Sequence, residues 1–569
     1  MKKIFIILII SSLSLHAQQE KDSVSTEVIN VVTSYKPTIS DAFKANETPS
    51  IEISKKDKAT IRYNIKSKPI KSVFKPYSGS YKKTPNIYSK PGYPDYLKVG
   101  YGNFGTPLVE SFLHKRKDAH EGQIFLYNRA SNGGIKNNIL NDNFLKTEIS
   151  LNYKNHKNTQ KWEVGAVYKR DLINWYGTPY KSISYQEDVL HSIDEKQTYN
   201  HFLLQGSIAL NQEWIEKSEA RIEKFTDRLN SSESRFYFSP TFSIPLNEQK
   251  IKTKVILDIL HGEFVNDYSQ TKSINYGYLN FGAEANYPIT RDNLSISLGA
   301  KLIYNSDLEN KKGRIFIYPD IHANVTILNE LLYAYGEFTG EVIQNSYQSI
   351  TRVNPYVSPT LDIKPTSNTF KILAGFKGKI TSTIHYNLNA SYAQEKDKLL
   401  FQSNKNLTDG TNLVSNGYEA GNSFYVLYDN MKTLSLYGNL SASINKNIET
   451  GISLSLYSYS MKNETESWNL PPYIATGFVT YAYGKWNSKA EILSKGKRKD
   501  LLKDYNNLET IKELNAYVDL NLSTHYKFNR RWSAFLELNN VLNSNYEMYS
   551  NFRVQGFQVL GGGVYHFDF

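Results

Sequence analysis

The sequence predicts an all-β fold, a transmembrane antiparallel β-barrel of about 22 strands with an extended N-terminal arm. Three observations predict it. Runs of roughly ten residues alternate apolar and polar side chains, the period of a strand with two unlike faces. The connections between those runs alternate between tight turns and long polar loops, which is how membrane barrels are wired. The 569 residues also carry 43 Tyr and 27 Phe at a mean hydropathy of −0.49. Such a load of amphipathic rings suits a membrane interface, in a chain too polar for helical spans. With no Cys, a disulfide framework, a thiolate metal cluster and a Cys nucleophile are all excluded.

Residues 1–17 read as a secretory signal. Lys2 and Lys3 precede an apolar run from Ile4 to Ile10 that continues to Leu15, and Leu15-His16-Ala17 offers a small-residue cleavage site. The alternative, a short anchor helix, falls below the ~17 to 20 apolar residues that a span needs. Residues 18–93 form a basic, proline-rich arm: Pro37, Pro49, Pro69, Pro76, Pro85 and Pro91 interrupt it, and Lys55, Lys56 and Lys58 crowd one stretch. Prolines at this density break helices and central strands alike, so the arm is expected to be mostly extended.

The barrel is expected over residues 94–569. Leu434, Leu436, Gly438, Leu440, Ala442 and Ile444 alternate with Ser435, Tyr437, Asn439, Ser441 and Ser443. The same pattern runs through Leu294–Leu302 and Ala516–Tyr526. Soluble sandwiches alternate too, but their strands average about five or six residues, whereas a tilted membrane strand needs ~9 to 11. Counting back from Phe569, tight turns are expected at Phe528–Arg531, Gly484–Asn487, Asn445–Ile448, Gly378–Ser382, Thr326–Asn329, Pro288–Asp292 and Leu246–Gln249. Long loops fall between them, including Asn543–Gln555, Gly496–Glu513, Met461–Leu470, Lys405–Asn422 and Thr339–Pro365. Glu213–Thr226 is left open between strand and helix, since Ile215, Ile222 and Phe225 also mark one helical stripe.

In the last strand Phe557, Val559, Gly561, Gly563, Tyr565, Phe567 and Phe569 share the lipid face. Tyr565, Phe567 and Phe569 bunch at the end, where the lipid interface would lie. Together with Asn539-Asn540-Val541-Leu542-Asn543, Tyr546 and Gly556-Phe557, this ending resembles the C-terminus of TonB-dependent receptor barrels of the Bacteroidota type. The resemblance implies an outer-membrane protein of Gram-negative cells whose terminal aromatics are read by the barrel-assembly machinery. Glu27, Val28, Ile29, Asn30, Val31, Val32 and Thr33 look like a TonB box, the stretch through which such receptors couple to TonB by strand addition, although a chance β-prone heptad reads the same. The chain departs from the family after that box: the stretch from Thr33 to the first strand is too short for a complete plug domain.

No Gly-x-Ser-x-Gly elbow, Walker-type loop or His-Glu-x-x-His occurs, and Val99-Gly100-Tyr101-Gly102 reads as a strand rather than a phosphate loop. An enzyme and a cofactor are not expected. Lys301, His385, Asp519, His525, His566 and Asp568 fall on the faces assigned to the lumen. The formal net charge of +12 attracts anions, and in an exported chain those are lipopolysaccharide phosphates or acidic solutes, not nucleic acid. Expected partners are outer-membrane lipid and lipopolysaccharide, the assembly machinery, and TonB or a surface lipoprotein. Three functions remain open: solute passage through a polar lumen, a non-transporting scaffold that recruits envelope or secretion partners, and a soluble secreted β protein.

Overall fold

The computed structural model describes residues 95–568 except 158–159, 180–181, 211–213 and 247–248. The expected signal, the arm with its TonB-box-like heptad, and Phe569 lie outside the described residues. The rest forms one antiparallel sheet of 22 strands. Neighbouring strands pair in chain order, and the sheet closes where the first strand, Asp95–Gly102, pairs with the last, Gln558–Phe567, in the register Asp95↔Phe567 to Gly102↔Leu560. Closure leaves no edge, which is the condition for a sheet to stand in hydrocarbon.

Alternation decides the faces. On the strand Phe424–Asn445, Leu434, Leu436, Leu440 and Ile444 are exposed on the outside. The outermost side chains are Ile315 and Ile317, 70% and 76% exposed. In water such a surface would drive aggregation; in lipid it is the contact that holds the barrel. At the turn end the band finishes in rings: Trp486 lies 4.7 Å from Tyr526, and Trp532 lies 4.7 Å from Tyr565. This is an interfacial girdle, where amphipathic rings are at home.

The tight turns lie at one end. Those at 446–447, 484–485 and 528–531 fall inside the expected segments, while Asp292-Asn293 and 329–331 begin four and three residues later than the polar pattern suggested. Asp292 and Gly484 take positive φ there (44° and 59°), as two-residue hairpin turns require. Glu213–Thr226 resolves as a strand, Ile215–Asp227, paired on both sides. The loop end is uneven. Strands such as Asp95–Gly102 barely span, whereas Ile384–Ser403 and Phe424–Asn445 run 20 and 22 residues, twice the ~10 needed to cross. Two loops carry their own hairpins, Arg498–Lys503 with Glu509–Leu514 and Glu547–Tyr549 with Phe552–Arg553. Two others carry short helices, Glu187–Ser192 and Tyr347–Val353.

Candidate functional site

The inward side chains divide the wall into two sectors. From about Phe144 to Leu328 the lumen carries charge ladders. Arg235 grips Asp258 with two parallel bonds of 2.7 and 2.6 Å, and Lys169 meets Glu148 at 3.0 Å. His201 faces Glu223 at 3.2 Å, and Lys301 sits between Asp320 (3.3 Å) and Glu284 (3.7 Å). From Leu332 to Tyr483 the inner face is rich in hydroxyls and amides, with Lys377 lying over the Tyr335 ring at 5.3 Å. Tyr335 donates to Asn387 at 2.6 Å and accepts from Asn389 at 3.0 Å; Ser391 pairs with Ser435 and Ser453 with Thr476, each at 2.6 Å. In both sectors these pairs run from strand to strand within the wall, and both present a hydrophilic surface.

Above the wall the loops make a dry core. Tyr176, Tyr347, Ile350, Val357, Leu361, Phe424, Tyr549 and Phe552 are buried in one cluster with Tyr199, Phe225, Phe264 and Tyr276 from the strand tops. These residues come from loops and strand tops of strands well apart in the sheet, so the cluster that joins them reaches across the loop end of the barrel. Phe552 stacks on Tyr356 with ring centres 3.8 Å apart, and Tyr347 receives Phe264 edge-on at 4.9 Å. A side chain at Gly177 would place its Cβ 2.4 Å from the Phe552 ring, so glycine lets the loop pass over it.

The cap's buried carboxylates and the ends of its helix are hydrogen-bonded, as burial demands. The short helix Tyr347–Val353 opens on a Ser346/Ser349 capping box. The Glu233 carboxylate accepts from Tyr276 Oη (2.7 Å) and from the Tyr347 and Gln348 amides (2.5 and 3.1 Å). Asp227 accepts from Tyr347 Oη at 2.8 Å, and Tyr549 Oη donates to the Val353 carbonyl at 2.8 Å. The helix is therefore held at both ends. Burial pushes the Glu233 and Asp500 carboxyls up from their ordinary values, against the hydrogen bonds that favour the charged form. The buried Arg498 guanidinium donates to the Glu547 carbonyl at 2.7 Å and to that of Met548.

The residues singled out from sequence are spread along the wall. Lys301 stands in the charged sector; His385 is exposed near the turn end, opposite Lys379 and Ser441 in register. Asp519 accepts from Tyr546 Oη at 3.1 Å beneath the cap. His525 stacks against Phe535 at 6.0 Å and His566 is buried 6.1 Å from Tyr96; the two lie near the closure seam on strands that flank Trp532–Asn539 on either side. Phe535 can lie flat there because Gly100 and Gly562 leave room: a Cβ on either would fall within 3 Å of its ring or of backbone. Asp568 follows the last strand and is exposed. Tyr565 and Phe567 stack at 5.8 Å in the girdle. No cluster of three metal-ligating side chains occurs among the described residues. The cap is what sequence reasoning missed. Its signal was present as aromatic runs inside nominally polar loops, Trp175-Tyr176, Pro355-Tyr356-Val357 and Phe552.

Solved structures share this architecture. The FrpB iron transporter from Neisseria meningitidis (F5-1 variant) superposes with a TM-score of 0.61 at 10% identity, over 84% of this chain and 83% of that one. The siderophore receptor PirA from Acinetobacter baumannii gives 0.62 at 12%, over 83% and 80%. The pyoverdine outer membrane receptor FpvA from Pseudomonas aeruginosa PAO1 gives 0.60 at 11%, over 84% and 79%. The fold is that of a TonB-dependent receptor barrel. At these identities the likeness concerns the fold alone. No family model and no curated protein sequence matches the chain. A TonB-dependent receptor barrel is an outer-membrane architecture, in keeping with the apolar band, the girdle and the 22-strand closure.

Proposed function

We propose that this chain is a gated passage for a hydrophilic solute across the outer membrane, TonB-dependent-receptor-like but without a complete plug. The carrying observation is a wall whose inward side is polar from about Phe144 to Tyr483, with a buried apolar cluster of loop residues and strand tops at its loop end. A lumen built for water, beneath a lid built to exclude it, makes sense if the lid opens. The structural neighbours named as iron transporter and siderophore receptor support transport as the class of activity. Coupling to TonB through Glu27–Thr33 and export through a signal cleaved after Ala17 belong to the same proposal. No catalytic step is part of it.

The cap also favours a second reading. Its core is as dry as that of a soluble domain, and a lid that never opens would leave a scaffold whose loops recruit envelope or secretion partners. Swelling of proteoliposomes in small neutral sugars separates the two. The intact chain should be impermeable, and Phe552→Ala combined with Tyr356→Ala should admit sugar. A chain lacking residues 18–93, with and without the cap substitutions, tests whether the arm is a second obstruction. Impermeability in every combination would overturn passage and leave the scaffold.

A further inference from the structure

The outside of the barrel is not uniform, and on the four strands Thr366–Thr381, Ile384–Ser403, Phe424–Asn445 and Ile448–Met461 it is layered. Cross-strand register defines the layers. The row Phe376, Leu388, Gly438, Leu454 is apolar. Higher up, Ile372, Tyr392 and Leu434 share a row, with Phe370 6.0 Å from Tyr392. The next row is Phe370, Gln394, Lys432 and Ser460. Above it Lys396 continues its strand outward, and Lys462 follows the strand Ile448–Met461 on the far side of Phe424–Asn445, its amide bonded to the Asn430 carbonyl at 3.0 Å. Greasy, aromatic and cationic layers therefore succeed one another toward the loop end.

Two features of this wall are independent of each other. The first is charge: Lys396, Lys432 and Lys462 are exposed, and none has a carboxylate within ion-pair distance among the described residues. Acids stand nearby but are engaged otherwise: Glu395 pairs with Lys398 at 2.8 Å, and Asp429, in register with Lys398, accepts from the backbone amides of Lys462, Asn463 and Glu464 (3.1, 2.9 and 2.8 Å), while Asp397 sits on the bulge between Glu395 and Lys398. Lys224, an outward cation near the loop end of another wall, has its Nζ bonded to Ser232 and Ser234 at 3.1 Å. The second is shape. A groove of about 480 Å³ opens on the same wall, lined by Ile380, Leu388, Gly438, Leu440, Ile452 and Leu454. Gly438 makes it, since a Cβ there would come within 3.3 Å of Leu388. Six residues separate Gly438 from Lys432, about 20 Å along a tilted strand, comparable to the reach of a fatty acyl chain from its headgroup.

We infer that this wall is a specific seat for an acylated, phosphate-bearing glycolipid of the outer leaflet, with one acyl chain in the Gly438 groove and its phosphates on Lys396, Lys432 and Lys462. Unpaired lysines above an aromatic layer complement a phosphate at the membrane surface, and the groove beneath fits the chain attached to it. The inference rests on the outer-membrane setting and not on whether the lumen conducts.

Native mass spectrometry of the full chain in detergent, titrated with bis-phosphorylated lipid A, tests it. One lipid A should bind per barrel. Lys396→Gln, Lys432→Gln and Lys462→Gln together should weaken binding about tenfold or more, and Gly438→Leu, which fills the groove, should weaken it as well. Dephosphorylated lipid A and phosphatidylglycerol should each bind more weakly than lipid A to the unaltered chain, a comparison that does not depend on any variant folding. Heat-modifiable migration in gels checks that the variants are barrels. Undiminished binding by the folded triple variant would overturn the seat. Equal binding of phosphatidylglycerol would overturn its preference for glycolipid, and equal binding of dephosphorylated lipid A the role of the phosphates.

Discussion

Leu436 and Phe552 are both large apolar side chains, yet Leu436 is 49% exposed on the outside of the barrel and Phe552 is 1% exposed in the loops above it. The wall is inverted, with its grease outside and its ion pairs and hydroxyls within. The cap is an ordinary protein interior, with rings packed on rings and each carboxylate enclosed by donors. One chain thus follows two solvents. Where lipid surrounds it, alternation at period 2 sorts the residues; where water surrounds it, the loops must bury their own apolar groups.

Substitutions separate the two regimes. The largest effect is expected from Phe552→Ala, which empties the centre of the cap and should cost it about 3–5 kcal/mol while leaving the barrel folded; sugar influx with unchanged heat-modifiable migration would show this. Next comes Ile317→Arg, a charge placed on the lipid face, expected to destabilise the barrel by about 2–4 kcal/mol, read from urea unfolding in lipid vesicles, with no effect on the cap. Tyr347→Phe removes the hydroxyl that Asp227 accepts and should loosen the helix Tyr347–Val353 by about 1 kcal/mol, seen as faster hydrogen exchange confined to 344–365. The smallest effect is one of pH. The Glu233 and Asp500 carboxyls are raised in the folded cap, so what they contribute is fully present below the ordinary carboxylate pKa and is lost as pH rises through the raised value. Protease cleavage within 344–365 should therefore be slower in mild acid than at neutral pH, and Glu233→Gln should flatten that dependence.

The same contrast explains what was legible beforehand. Leu434 to Ile444 announce their strand because lipid imposes strict alternation, and 22 such strands wired by alternating turns and loops could be counted without coordinates. Turn positions drifted near Asp292 and Glu330, where interfacial residues are polar on both faces and the period fades. The cap was missed for a different reason: its aromatic residues are visible in the loops, but not that they meet. Tyr176, Tyr356, Phe424 and Phe552 lie far apart in sequence, and no local period marks loops that meet only after the barrel has closed. The division of the lumen into an ion-paired sector and one rich in hydroxyls and amides was within reach, since Arg235, Asp258, Glu223 and Lys301 sit at inward positions of one run of strands and Asn387, Asn389, Ser391 and Ser435 at those of another.

With no Cys in the chain, single spin labels can be placed without background. In lipid vesicles, labels at successive positions 434–442 should alternate, the even positions relaxed by oxygen and the odd ones by a water-soluble nickel chelate. A label at Ile350 in the cap should be shielded from the chelate until Phe552 is truncated. Labels at 434–442 that all meet the aqueous reagent, or a cap label that meets it in the intact chain, would contradict an oily outside, a wet lumen and a dry lid.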